Sequence, residues 1–192
     1  MTLVLTARTG HFVIQASDRR VTLRNRQGSY IGEHDAEANK SLIYLADDGI
    51  LSLAYTGPAY IGGKTTDHWL ADTIRGEDFP QGYHSSTGFV PMRFTALQGY
   101  VPGWRRLYAT LVNLTEALDR ACSTELVPAA RKGPLIVSAV GWHFDRRRRA
   151  RTVGFFVNKN GEGSPAMLTR WPRRNWGVKA DGCEDVEIVD YH

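Results

Sequence analysis

At 192 residues, with 42% hydrophobic and 23% charged residues and a formal net charge of +4, the chain has the composition of one soluble domain, residues 1–192, able to bury its own core. No apolar run approaches the roughly 18 residues of a membrane span, and the segment Met1 to Leu5 has no basic flank and ends at Arg8 before a signal sequence could form, so a cytoplasmic chain trimmed at most of Met1 is expected. Cys122 and Cys183, with no Cys-x-x-Cys or His-Glu-x-x-His spacing and six histidines at no ligand interval, argue against a disulfide framework or zinc motif, and the simpler expectation is chemistry without cofactor or metal.

In chain order, Thr2 to Ala7 and Phe12 to Ser17 read as strands of a hairpin turning at Thr9-Gly10. From Arg24 to Asn39 the chain is polar and predicts a loop or projecting flap. Ser41 to Leu45 and Ile50 to Tyr55 make a second hairpin, with Asp47-Asp48-Gly49 as its turn because Asp and Gly tolerate positive φ. A helix is expected over Thr66 to Ile74, capped by Thr65 or Thr66. Residues 76–105 form a long insert without periodicity. Leu107, Leu111, Leu114, Leu118 and Ala121 then mark one face of an amphipathic helix running to about Leu126. Pro134 to Phe144 and Arg151 to Val157 make a third hairpin, followed by a turn from Asn158 to Gly163. Ala166 to Trp171 and Val186 to Val189 are weaker strand candidates.

The positive charge is local, concentrated in Arg146 to Arg149, Arg151, Arg170, Arg173 and Arg174. Interleaved with Trp171 and Trp176 it suits nucleic acid, through phosphate neutralisation and base stacking. A solvated hairpin tip between two strands is the simpler reading of Arg146 to Arg149.

Thr2, Gly10, the strand ending Ala16-Ser17-Asp18, then Arg20, Thr22, Lys40 and Ala54-Tyr55-Thr56-Gly57 resemble the β-type subunits of proteasomes and their bacterial relatives over most of residues 2 to 75. The segment from Gly133 to Trp142, and the hairpin ending at Asn160-Gly161, follow the same order. The resemblance implies an α+β N-terminal nucleophile hydrolase, with two mainly antiparallel β-sheets flanked by helices. It further implies a threonine peptidase that acts on peptides or unfolded proteins after Met1 is removed. Thr2 is then the nucleophile, and its own α-amine the base, with an ordinary pKa of about 8. By the same resemblance Lys40 lies beside the Thr2 hydroxyl, Asp18 holds Lys40, and Arg20 holds Asp18 or the glycine-loop region. The Gly57 N–H faces the developing oxyanion, and the Thr22 backbone pairs with an extended substrate.

The second half departs from that family. The two long helices that cover the family's other sheet face have no counterpart here, so the second helical layer is expected to be reduced or absent, and no second-shell Asp or Ser can be assigned. An exposed sheet face needs a cover, which predicts a homo-oligomer with the 76–105 insert at a subunit contact or at the mouth of the site. Phe79, Tyr83, Phe89, Met92, Phe94 and Tyr100 of the insert are suited to such a contact, or else pack the domain's own core. No ATPase partner can be read from the sequence. Two alternatives stand beside the peptidase. One is a proteasome-like assembly subunit that does not cut. The other is a nucleotide-binding protein using Gly57 to Thr65, whose Gly63-Lys64-Thr65 follows Gly57 one residue too late for a phosphate loop, with Pro58 removing a donor.

Overall fold

The computed structural model describes residues 3–18, 21–24, 30–35, 40–75, 89–91, 106–126, 128–171 and 177–181. The first hairpin is β1 (Val4–Arg8), which alternates buried with partly buried residues, and β2 (Val13–Ser17), which alternates partly buried with exposed ones. The Thr9 hydroxyl accepts from the Phe12 N–H at the turn. Among the described residues β3 (Val21–Arg24) and β4 (Tyr30–Asp35) pair only with each other. The polar stretch expected as a loop or flap therefore contains a strand, because Tyr30 and Ile31 supply β-favouring residues that its charges obscured. β5 (Ser41–Ala46) and β6 (Gly49–Thr56) form the second hairpin as expected.

The Gly-rich segment is a miniature hairpin, β7 (Tyr60–Ile61) and β8 (Lys64–Thr65). Gly62 and Gly63 at its tip both hold positive φ, 58° and 78°, the pattern of a type I′ turn. Lys64 is committed to Asp72 at 2.7 Å. This segment is a closed two-strand turn rather than an open phosphate-cradling loop. α1 (Thr66–Arg75) follows at the expected position. Its Thr66 hydroxyl donates to the Pro58 carbonyl.

Within the insert, β9 (Phe89–Pro91) pairs with β5. That stretch therefore belongs to this chain's own sheet, and the other proposed interface aromatics lie outside the described residues. α2 (Leu107–Thr124) buries Leu107, Leu111, Leu114, Leu118 and Ala121, the face its periodicity predicts. After a single turn, α3 (Pro128–Arg131), come β10 (Pro134–Phe144) and β11 (Ala150–Asn160). β11 runs on through Asn158–Asn160, where a turn is expected, because β10 offers partners as far as Pro134. β12 (Met167–Arg170) and β13 (Gly177–Asp181) are the last strands among the described residues. The predicted Val186 to Val189 strand lies outside the described residues.

All pairings are antiparallel. The larger sheet has the order β12-β11-β10-β6-β5-β9, and a three-stranded sheet has the order β13-β1-β2. The protein is thus a mixed α and β fold of antiparallel sheets. Period-two alternation gives the larger sheet two chemically different faces. Leu51, Leu53 and Tyr55 of β6, with Leu135, Val137 and Ala139 of β10, join α1 and α2 in one apolar core. Each fully buried leucine there contributes about 2 kcal/mol by leaving water. The opposite face meets β1 and β2 through hydrogen bonds. The Thr6 and Ser138 hydroxyls lie 3.1 Å apart, and Gln15 Nε2 donates to the Ser138 carbonyl while its Oε1 accepts from the Ser52 hydroxyl at 2.8 Å. Val140, Phe156 and Trp171 form a smaller apolar cluster on this side. The Arg8 guanidinium lies 5.1 Å over the Trp171 ring. Gly141 permits the close approach of β10 to β6, since a Cβ there would lie 1.9 Å from the Ile50 carbonyl oxygen.

On the far side of the three-stranded sheet, Phe12 and Ile14 are 48% and 59% exposed. Among the described residues no helix is long and apolar enough to cross a membrane.

Candidate active site at the Asp18–Lys40 end

One end of the two sheets brings together Asp18 and Lys40. Asp18 follows β2 directly, and its N–H donates to the Leu3 carbonyl at 3.1 Å, extending the β1–β2 ladder to the first described residue. Lys40 directly precedes β5, and its carbonyl accepts from the Tyr55 N–H, extending the β5–β6 ladder in the same way. Between the two sheets the Ser17 and Ser41 hydroxyls are 2.9 Å apart. Each serine is the sequence neighbour of a charged residue, so this contact aligns the two strand ends. The Lys40 ammonium then reaches Asp18 Oδ1 at 2.9 Å.

Burial makes this pair informative. The Lys40 side chain is 3% exposed and that of Asp18 37%. An ammonium withdrawn from water needs a carboxylate partner, and Asp18 supplies it while keeping part of its own surface hydrated. The bland expectation for a lysine in a polar loop is solvation, and Lys40 departs from it. Tyr55 faces the helix side, where burial and then the neighbouring Asp67 carboxylate push its phenol well above the ordinary range, so it stays neutral.

Gly57 lies one residue beyond the end of β6, on the strand that flanks Lys40. Its φ is +132°, and a Cβ would meet the Pro134 carbonyl oxygen at 2.8 Å and Leu135 Cα at 3.1 Å. Glycine is therefore required here by sterics alone, whatever its N–H does. Thr22 lies in β3 opposite Glu33, beside irregular register steps. Among the described residues the other edge of β3 has no strand partner, which leaves a ladder edge on which an extended chain could pair. Thr2 and Arg20 lie outside the described residues.

The structure thus brings Asp18 and Lys40 together, sets Gly57 on the adjoining strand, and puts the start of β1 at the same end. Sequence reading missed the Ser17–Ser41 contact. Its signal was present, since two small hydroxyl residues each adjoin a predicted site residue at a strand terminus. Among the described residues no cluster of His, Cys, Asp and Glu is arranged to hold a metal ion. Comparison with family models, curated proteins and solved structures finds no match to this chain.

Proposed function

We propose that the protein is a threonine-type amidohydrolase of the N-terminal nucleophile class, acting on peptides or unfolded protein, with Thr2 as nucleophile once Met1 is removed. The observation that carries this reading is the buried Lys40 ammonium on Asp18 at the sheet end where β1 begins. The Thr2 α-amine takes the hydroxyl proton, and the alkoxide oxygen bonds to the substrate's carbonyl carbon. Lys40 stabilises the alkoxide and disfavours protonation of the amine. The negative charge that develops on the carbonyl oxygen is met by the Gly57 N–H. Collapse breaks the C–N bond, the departing amine takes the proton back, and water hydrolyses the acyl ester, restoring Thr2. Arg20 supports Asp18 or the Gly57 loop, and the free edge at Thr22 takes the extended substrate.

Under this reading the sheets and helices form the two-sheet sandwich of that class, with the outer helical layer reduced. The exposed Phe12 and Ile14 side supports assembly into a homo-oligomer, whether or not the subunits cut, and the working compartment is the cytoplasm. Intact-mass measurement of the native protein tests Met1 removal, and labelling by a threonine-directed epoxyketone tests the nucleophile. Labelling lost in Thr2→Ala is the expected result, and turnover unchanged in that variant rules the mechanism out. Light scattering that returns a strictly monomeric mass at micromolar concentration rules out the oligomer.

A further inference from the structure

At the other end of the larger sheet, six residues along β6 from Tyr55 beside Lys40 to Gly49 beside His143 and so roughly 20 Å from Lys40, three adjoining cavities of about 650, 340 and 200 Å³ share His143 in their lining. Five guanidinium-bearing residues line them: Arg106 before α2, Arg146 and Arg148 in the β10–β11 turn, Arg151 on β11 and Arg170 on β12. None makes an ion pair with a described residue.

The carboxylates present are largely engaged elsewhere. Asp48 Oδ1 accepts the Leu107 N–H at the start of α2 at 2.8 Å, and its other oxygen lies 3.5 Å from His143. Asp145 accepts the N–H groups of Arg147 and Arg149 and is bridged by the Arg149 guanidinium at 2.8 Å. These bonds, the Arg149 N–H first, hold its carboxyl below the usual range. Asp145 therefore shapes the turn, with Arg148 held at φ 56°, and its charge is balanced by Arg149. Only Asp47 is left among the acids of the cavity.

We propose that these adjoining cavities together form a binding site for a small molecule carrying two or more adjacent phosphates. Guanidinium forks match phosphate oxygens, and arginines converging from separate segments need a multiply charged ligand to span them. The volume falls within the usual range for a ligand site. Its concave shape fits a compact anion better than an extended nucleic-acid strand. The site is independent of the proposed hydrolase chemistry.

Calorimetric titration of the full chain with inorganic tripolyphosphate, ATP and adenosine tests this. Saturable binding of tripolyphosphate is expected, with ATP equal if phosphate alone is read, or tighter if a nucleoside is also held. Arg146→Ala combined with Arg148→Gly, the glycine suiting the positive φ, should weaken it by about tenfold or more. Arg106→Gln should weaken it from the opposite wall. Arg120→Ala, which removes an exposed charge of α2 that does not line the cavity, should change it less than about twofold. No saturable binding of tripolyphosphate, equal loss in the Arg120 control, or tighter binding of single-stranded RNA than of tripolyphosphate would each overturn the proposal.

Discussion

Replacing Lys40 by methionine removes the ammonium while keeping most of the side-chain volume, so packing around it is disturbed little. Breaking a fully buried ion pair costs about 3–5 kcal/mol, mainly by leaving the other charge unpaired. Asp18 is 37% exposed, so water can take over part of the lost bond, and the figure falls towards that of one charged hydrogen bond, about 2 kcal/mol. For a chain of this length that corresponds to a fall in Tm of roughly 4–8 °C. Urea unfolding followed by tryptophan fluorescence measures the cost, and the Asp18→Asn, Lys40→Met cycle isolates the coupling between the two residues. The same variants, labelled below their unfolding transition with an epoxyketone, report the chemistry. The expected outcome is a loss of labelling far larger than any fraction unfolded. A stability change within about 0.5 kcal/mol, the range for ordinary surface substitutions, would refute the buried pair. A destabilised variant that still labels fully would refute its place in the reaction.

Asp48→Ala should cost about 1–2 kcal/mol, as for loss of a helix cap, because its carboxylate accepts the first N–H of α2 from a distant hairpin; chemical denaturation measures it. Gly141→Ala should cost about 3 kcal/mol or prevent folding, since its Cβ would overlap the Ile50 carbonyl, and a normal unfolding midpoint would show that β10 does not approach β6 so closely. The Asp119 carboxyl is held below its usual value, first by Lys159 and then by the Ala166 N–H. Its contribution is therefore present above the ordinary aspartate pKa of about 3.9 and lost as pH falls through the lower folded value. Asp119→Asn should flatten that part of the acid unfolding profile, and an unchanged profile would remove Asp119 from it.

The elements most legible in the sequence were those whose pattern coincided with burial. The 3.6-residue spacing of Leu107, Leu111, Leu114 and Leu118 is the packed face of α2, and the β-branched and apolar run from Thr2 to Ala7 anticipates β1. Asp18, Lys40 and their pairing were legible only through the family resemblance, because their meeting at 2.9 Å depends on how two sheets align, which no local pattern encodes. Short strands were missed for a different reason. Tyr30–Asp35 carries too many charges, and Gly177–Asp181 too little alternation, for either to stand out. The arginine-lined cavity was hidden because its walls are set by pairing. Opposing Gly49 with His143 brings the Asp48 turn beside the Arg146 turn, two segments that seemed separate hairpin tips. The spacing of the glycine-rich segment already spoke against a phosphate loop, and Gly62 and Gly63 serve a tight turn.

The contrast between the two faces of the larger sheet bears on how the molecule breathes. Hydrogen bonds such as Thr6–Ser138 and Gln15–Ser52 are directional but yield little net free energy each, since water satisfies the same groups when the strands part. The helix side is held by close-packed leucines that water cannot replace. The β13-β1-β2 sheet should accordingly form its own opening unit, exchanging its amide protons at a lower free energy than the β6–β10 ladder. Such partial release would separate Asp18 from Lys40 while the remainder of the fold stays closed, so the working state of this end of the molecule is set by docking between sheets rather than by global stability.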